Sequence, residues 1–217
     1  MALDRKAELA QNLAEVKATI PDSVHLIVVT KTFPLSDVQL LHELGVIEFG
    51  ENRDQEGREK APQVPGKWHF QGQLQSNKLK SICSWADVIQ TIDTPRYVDL
   101  VSKAAEKDLE VFIQVSLDGV THRGGALPTD LNAIADQILA TSNLKLQGLM
   151  AVAPLGEAPD QAFERLATIH QAFKSLTIIH KNSTIRIINI QAFNTISNCF
   201  LVWSIFYFKI NFRLFYF

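Results

Sequence analysis

The sequence predicts an α/β fold built around a sheet of parallel strands. Through residue 176, six short apolar segments rich in β-branched residues alternate with amphipathic segments of helical period. Strict alternation of strand and helix is typical of parallel sheets. An open doubly wound sheet and a (β/α)8 barrel both fit this pattern. No G-x-G-x-x-G follows the first strand, which removes the main support for a dinucleotide-binding sheet.

The predicted elements follow one another in a regular order. The first helix has apolar residues at helical spacing and ends before Pro21, Gly45 stops the second helix, and Pro95 suits the first turn of a later one. We expect strands at 24–30, 46–50, 68–72, 88–93, 110–116 and 146–152. We expect helices at 9–20, 35–44, 51–60, 74–84, 95–106, 128–140 and 162–176. A barrel needs two more strands, which only the remaining residues can supply.

Composition excludes several classes of protein. A chain of 217 residues suits one domain with a sizeable core. Its formal charge of -2 gives no reason to expect a nucleic-acid partner. Cys83 and Cys199 lie far apart and outside any C-x-x-C motif, which argues against a disulfide framework or a zinc site and for a reducing compartment. With no apolar signal segment at the N-terminus, we expect a cytoplasmic protein. We also expect a monomer.

The composition changes near residue 177. The last acidic residue is Glu164, the last proline is Pro159, and nine of the 19 aromatic residues fall in the final 18. We therefore interpret 1–176 as the barrel portion and 177–217 as an aberrant apolar tail, which is the pattern of a truncated or frameshifted gene. Within the tail, 185–190 and 200–208 are candidates for substitute strands. The apolar stretch 199–208 is shorter than the roughly 20 residues that span a bilayer, so we do not expect a membrane anchor.

Lys31 is the first candidate for chemistry, because it follows the first predicted strand directly. In a barrel, functional groups lie at the carboxyl ends of the strands. Burial lowers the pKa of a lysine, and an unprotonated lysine forms an imine with an aldehyde. The alternative is a solvated lysine that leaves a strand.

Several short segments have a specific order and spacing. They are Val29-Thr30-Lys31-Thr32, Phe49-Gly50-Glu51-Asn52, the block from Trp68 to Lys78 (W-H-F-Q-G-Q-L-Q-S-N-K), Gln114-Val115-Ser116, Arg123-Gly124-Gly125 and Gly148-Leu149-Met150-Ala151. Together they resemble the pyridoxal phosphate homeostasis protein family, also called the proline synthase co-transcribed family, over residues 5–176.

The resemblance implies a fold and a cofactor. The implied fold is a (β/α)8 barrel of the alanine racemase N-terminal type, here incomplete, with about six regular β/α units. The implied cofactor is pyridoxal 5′-phosphate (PLP), held as an imine on Lys31. No catalytic reaction is attached to the family, and its role is to balance intracellular PLP (vitamin B6). Amino-acid or apo-enzyme amines are the implied acceptors.

The resemblance also implies a defect. Family members continue with an S-M-G-M-S segment and an R-x-G segment, which supply the phosphate cradle and an arginine facing the pyridine nitrogen. Residues 177–217 contain neither segment and have no glycine. We therefore expect impaired PLP retention. The alternatives are an alanine-racemase-like PLP enzyme, which needs a second acid–base group that no sequence feature supplies, and an inactive truncated remnant.

Further cofactor contacts are candidates with two readings each. Asn52 suits either the cofactor ring or a helix N-cap. His69 faces either the barrel mouth or elsewhere, since side chains alternate along a strand. Met150 is either a cofactor contact or core. The Arg123-Gly124-Gly125 segment binds an anion or forms a simple glycine turn.

Overall fold

The structure, a computed structural model, describes residues 4–21, 24–120, 123–176, 184–189 and 204–208, with side chains for those up to Phe173. These residues form a closed barrel in which eight strands follow one another in chain order. The strands are β1 (Ile27–Val29), β2 (Glu48–Glu51), β3 (Lys67–Phe70), β4 (Val88–Ile92), β5 (Leu109–Val115), β6 (Leu144–Val152), β7 (Thr184–Asn189) and β8 (Ser204–Phe208).

Helices separate the first seven strands, and a further one precedes β1. They are α1 (Arg5–Thr19), α2 (Leu35–Glu43), α3 (Asp54–Lys60), α4 (Leu79–Trp85), α5 (Pro95–Ala104), α6 (Leu131–Leu139) and α7 (Pro159–Leu176). Short 3-10 turns at Ala61–Gln63, Ser76–Lys78 and Pro128–Asp130 adjoin α3, α4 and α6. Thr94 caps α5 by accepting a hydrogen bond from the backbone N–H of Tyr97, and Pro95 occupies the first turn as predicted.

The six predicted strands and the helices between them are confirmed, while their ends differ by a few residues. The first strand is shorter than predicted because its ladder pairs with β2 and β8 involve only Ile27–Val29. The third helix begins at Asp54 instead of residue 51, because Glu51 still pairs with Phe70 in the β2–β3 ladder. Both differences come from strand pairing, which a local pattern does not contain.

Apolar side chains fill two separate regions. Between the sheet and the helices lies the larger cluster, in which Phe49 stacks on Trp68 at 5.0 Å between ring centroids. Trp85 packs edge-on against Trp68 at 6.5 Å, and α3 approaches the Trp85 indole closely because Gly57 has no Cβ. Inside the barrel a smaller cluster is formed by Val24, Ile27, Val29, Val88, Phe112 and Met150.

The last two strands close the ring. β7 pairs in parallel with β6, whereas β8 runs antiparallel to both β7 and β1. The two segments that we predicted as substitute strands therefore overlap strands of the barrel, and six regular β/α units precede them. The other predicted features of 177–217 lie outside the described residues. Among the described residues, no helix has the length and apolar character needed to cross a bilayer.

Candidate functional site

A cavity of about 170 Å³, lined mostly by polar residues, opens at the carboxyl ends of the strands. This is roughly ten times the ~15 Å³ that one water molecule needs by the same measure. The lining residues are Val29, Lys31, Asn52, Gln71, Gln73, Thr91, Asp93, Gln114, Arg123, Gly124 and Val152. They come from every strand between β1 and β6 or from the loops that follow, so barrel closure is what gathers them.

Lys31 lies in this cavity, as predicted, and it is half-buried. Burial is the main cause that lowers the pKa of its amine, and the nearby positive charge of Arg53 lowers it further. The carboxylates of Glu51 and Glu56 act in the opposite direction but do not outweigh these two effects. A lowered pKa increases the unprotonated fraction at a given pH, and the unprotonated amine is the nucleophile.

The turn that carries Lys31 is conformationally strained. Thr32 has φ of 67°, a left-handed conformation that is a genuine outlier for a β-branched residue. Its backbone N–H donates to Glu56 Oε2 at 2.6 Å, which holds the turn in place. Such a conformation costs on the order of 1–3 kcal/mol and persists where its surroundings impose it, frequently at functional sites.

A buried ion network lies beneath this turn. Lys60 Nζ donates to the Thr30 carbonyl oxygen at 2.7 Å, to Glu51 Oε1 at 2.8 Å and to Glu56 Oε2 at 2.9 Å. Thr30 Oγ1 donates to the same Glu51 oxygen at 2.6 Å. Glu51 is fully buried, and burial raises the pKa of its carboxyl despite these hydrogen bonds. Sequence reasoning missed this network, in which Lys60 joins β1, β2 and α3.

Asn52 lies at the rim of the cavity with Lys31. The alternative reading as a helix N-cap is wrong, because Arg53 occupies the N-cap position of α3 and Asn52 lies one residue before it. Gly72 brings the next strand close at this point, since a Cβ there would collide with the Asn52 carbonyl oxygen. The backbone of Asn52 is thereby fixed where the ladder of β2 and β3 ends.

The two other predicted contacts lie inside the barrel, away from the cavity lining. His69 is fully buried, with Nδ1 at 3.0 Å from Gln90 Nε2 and Nε2 at 3.2 Å from Glu48 Oε2. Met150 packs in the interior apolar cluster, which agrees with its reading as core. Two residues further along the chain, Gln71 and Val152 line the cavity instead. They follow His69 and Met150, respectively, on the same face.

The loop after β5 contributes the second cation of the described lining. Arg123 donates through Nη1 to Asp118 Oδ2 at 2.6 Å and through Nη2 to the Ala153 carbonyl oxygen at 3.0 Å. Gly124 and Gly125 have φ of 72° and 104°, so the glycine turn is confirmed. The Gly125 N–H donates to Asp93 Oδ2 at 3.2 Å, which fixes a carboxylate in the cavity.

Four uncharged polar residues of the lining were not predicted as site residues. They are Gln71, Gln73, Thr91 and Gln114. A signal for the first two exists in the sequence, because residues 69, 71 and 73 share one face of an extended segment. No group of three or more histidine, cysteine, aspartate or glutamate side chains suited to a metal ion occurs within the part of the chain that the structure describes.

Comparison with known proteins agrees with this fold. The family model described as the alanine racemase N-terminal domain matches residues 5–196. Among solved structures, an alanine racemase of Clostridium difficile superposes with a TM-score of 0.69 at 11% identity, covering 83% of this chain and 52% of that one. At this identity the likeness shows the fold alone. The chain thus has the barrel of the alanine racemase N-terminal type.

Relatives of higher sequence identity identify the family within this fold class. The pyridoxal phosphate homeostasis protein of Corynebacterium glutamicum is 38% identical over 154 residues, covering 66% of this chain and 70% of the relative. That of Mycobacterium leprae is 33% identical over 202 residues, covering 77% and 79%. PipY of Synechococcus elongatus, solved with PLP bound, has a TM-score of 0.70 at 28% identity and covers 77% of this chain and 82% of its own. This chain belongs to the pyridoxal phosphate homeostasis protein family.

Proposed function

We propose that this protein binds PLP covalently through Lys31 and takes part in the balance of intracellular PLP. The observation that carries the proposal is the half-buried amine of Lys31, whose lowered pKa accompanies its position in the mouth cavity. When bound, PLP supplies an aldehyde carbon that bonds to an unprotonated primary amine. Relatives named for PLP homeostasis and the PLP-bound PipY structure support the same cofactor.

The described residues fit such a cofactor. Lys31 supplies the amine, Asn52 and Gln114 supply amide groups that both donate and accept, and Arg123 supplies a positive charge for an anionic group. Asp93 adds a negative charge to the same cavity. Because the S-M-G-M-S and R-x-G segments of the family are absent from 177–217, we expect PLP to bind but to dissociate readily.

We infer that the protein holds the cofactor for exchange with amines and performs no catalytic cycle. Amino acids or the lysines of apo-enzymes are the proposed acceptors, and no reaction is established for the relatives. The alternative, an alanine-racemase-like enzyme, gains one observation, because the Asp93 carboxylate shares the cavity with Lys31. Racemisation of L-alanine by the PLP-loaded protein, lost in Asp93→Asn, would favour the enzyme.

The remaining expectations stay proposals of the same kind. We propose a cytoplasmic location, which the two cysteines without C-x-x-C partners support through the reducing compartment that they indicate. We also propose a monomer. The division into a barrel portion at 1–176 and an aberrant tail at 177–217 rests on composition.

The test is covalent trapping of the cofactor. Purified protein is mixed with PLP, its absorbance is recorded, and borohydride then fixes the adduct for peptide mass spectrometry. We expect the label on Lys31, its loss in Lys31→Ala, and wild-type labelling in Lys80→Ala, whose side chain is exposed. Gel filtration before borohydride should remove much of the adduct. Labelling that persists in Lys31→Ala would contradict the proposal.

A further inference from the structure

A chain of polar side chains crosses the interior of the barrel. In (β/α)8 barrels this space is dominated by bulky branched apolar residues. Here Glu48 of β2, His69 of β3 and Gln90 of β4 face one another inside the ring, and Gln71 continues the chain to the cavity of Lys31. His69 and Gln90 are both fully buried. Burying polar groups is unfavourable unless each finds a partner, so the arrangement calls for a role beyond packing.

The contacts assign one direction of donation to this row of polar side chains. Gln90 Nε2 lies 3.0 Å from His69 Nδ1. We assign Gln90 as the donor to a neutral ring, which leaves Nδ1 unprotonated and the ring proton on Nε2. His69 Nε2 lies 3.2 Å from Glu48 Oε2, an ion-pair distance at which a carboxylate favours a proton on this ring nitrogen. If the Gln90 amide were reversed with a neutral ring, Nδ1 would carry the proton and an unprotonated Nε2 would face a carboxylate. The assigned order avoids that repulsion.

The same order fixes Gln71. The remaining amide atom of Gln90, Oε1, accepts from Gln71 Nε2 at 3.4 Å. The Gln71 amide lies against Gly50, since a Cβ there would be 3.0 Å from Gln71 Oε1. The hydrogen bond to Gln90 directs Gln71 Nε2 toward that residue, and among the described residues none donates to Gln71 Oε1. An acceptor oxygen is left at the wall of the cavity.

We infer that Glu48, His69 and Gln90 are positioning residues that hold Gln71 with its carbonyl oxygen available to the Lys31 cavity, where this oxygen accepts a hydrogen bond from the N–H of an incoming primary amine. The hydrogen-bond chain stands on the geometry alone, whereas the amine as ligand rests on the proposed function. Gln71 thereby selects ligands that carry an N–H donor and orients the amine that exchanges with Lys31.

The first experiment needs no cofactor. Nitrogen-15 NMR of the His69 ring near neutral pH should show a protonated Nε2 and an unprotonated Nδ1. In Gln90→Leu, which removes the donor to Nδ1, the Nδ1 resonance should shift, while in Gln63→Met, a change to an exposed glutamine, it should stay in place. A protonated Nδ1 in the wild-type protein would overturn the inferred direction of the chain.

The second experiment measures exchange. PLP is bound to the protein, glycine is added, and the loss of the adduct absorbance gives a rate. We expect Gln71→Met to slow exchange about two- to tenfold, the range set by one neutral hydrogen bond. Gln90→Leu should slow it comparably, and the double variant should add little, because both changes act through one contact. Gln63→Met is again the control.

The outcomes separate the two proposals. A wild-type protein that forms no PLP adduct would overturn the proposed function and the exchange step together, while the NMR result would still decide the hydrogen-bond chain. A normal adduct with unchanged exchange in Gln71→Met would overturn the role of Gln71 alone. Additive losses in the double variant would also overturn it, since independent packing defects add whereas one shared contact does not.

Discussion

The reactivity expected of Lys31 comes from its neighbours more than from the lysine itself. An exposed lysine is protonated at neutral pH, and only burial or a nearby positive charge changes that. Here burial and the positive charge of Arg53 both lower the pKa of Lys31, while the carboxylates of Glu51 and Glu56 raise it. The balance of these charges sets the pH at which the amine becomes a nucleophile.

Replacing Arg53 should shift this balance in a measurable way. In Arg53→Gln the pKa of Lys31 should rise, because a positive charge is lost and Glu56, which Arg53 contacts at 3.4 Å, is left to stabilise the ammonium form. A higher pKa means less unprotonated amine at each pH. The pH profile of the PLP addition rate should therefore move to higher pH. Arg58→Gln, an exposed change within α3, should leave the profile in place, and a shift toward lower pH in Arg53→Gln would contradict the explanation.

At the scale of elements, the ion network of Lys60 fixes α3 against the ends of β1 and β2. Its ammonium group donates to the backbone carbonyl of Thr30 just after β1, to Glu51 of β2 and to Glu56 of its own helix. Glu56, in turn, receives the N–H of Thr32. Burial alone would raise the pKa of Glu56, but the hydrogen bonds from Lys60 and Thr32 outweigh it and the pKa is lowered. The strained turn that presents Lys31 thus depends on a helix that follows β2.

Lys60→Met should destabilise the protein strongly. The change removes one partner of a buried pair and leaves the Glu51 carboxylate uncompensated, a situation that typically costs about 3–5 kcal/mol. Urea denaturation measures the loss in free energy of unfolding. The matched control is Lys107→Met, whose pair with Asp87 is exposed, and it should cost about 1 kcal/mol or less. Equal losses in the two variants would show that the buried network contributes no more than a surface pair.

At the scale of the whole molecule, the ring is closed by a strand of opposite direction. Ile205 in β8 pairs with Ile27 on β1 and with Ile188 on β7, so one short antiparallel strand joins the first strand to the last parallel one. Closure matters because a barrel without it has two open edges. It also matters to the site, since β1 carries the turn with Lys31.

A proline at position 205 tests this closure. Ile205→Pro removes a backbone N–H and leaves a ladder carbonyl without its donor, at a cost of about 1–3 kcal/mol. We expect a lower midpoint of thermal unfolding than in the wild-type protein. Ile205→Val keeps the N–H and should have a smaller effect. If both variants unfold like the wild-type protein, residues 204–208 do not close the barrel.

Much of the fold could be predicted from the sequence, because its signals are local. Alternating apolar strands and amphipathic helices specify the order of β1 to β6 and α1 to α7, and the motif from Trp68 to Lys78 carries the family resemblance. Lys31 was predictable for the same reason, as a lysine at the end of a buried strand. The end of each element was less predictable, because pairing between strands decides it.

The sequence by itself determined the parallel α/β order, the family and the position of Lys31 at the end of the first strand. Only the tertiary structure decided that Asn52 lines the cavity and is no N-cap, that His69 lies within the barrel, and that Lys60 anchors the turn of Lys31. The physical reason is that local sequence specifies backbone conformation and side-chain periodicity. Which side chains meet depends on the register of neighbouring strands and on the closure of the ring, and these bring together residues far apart in the chain.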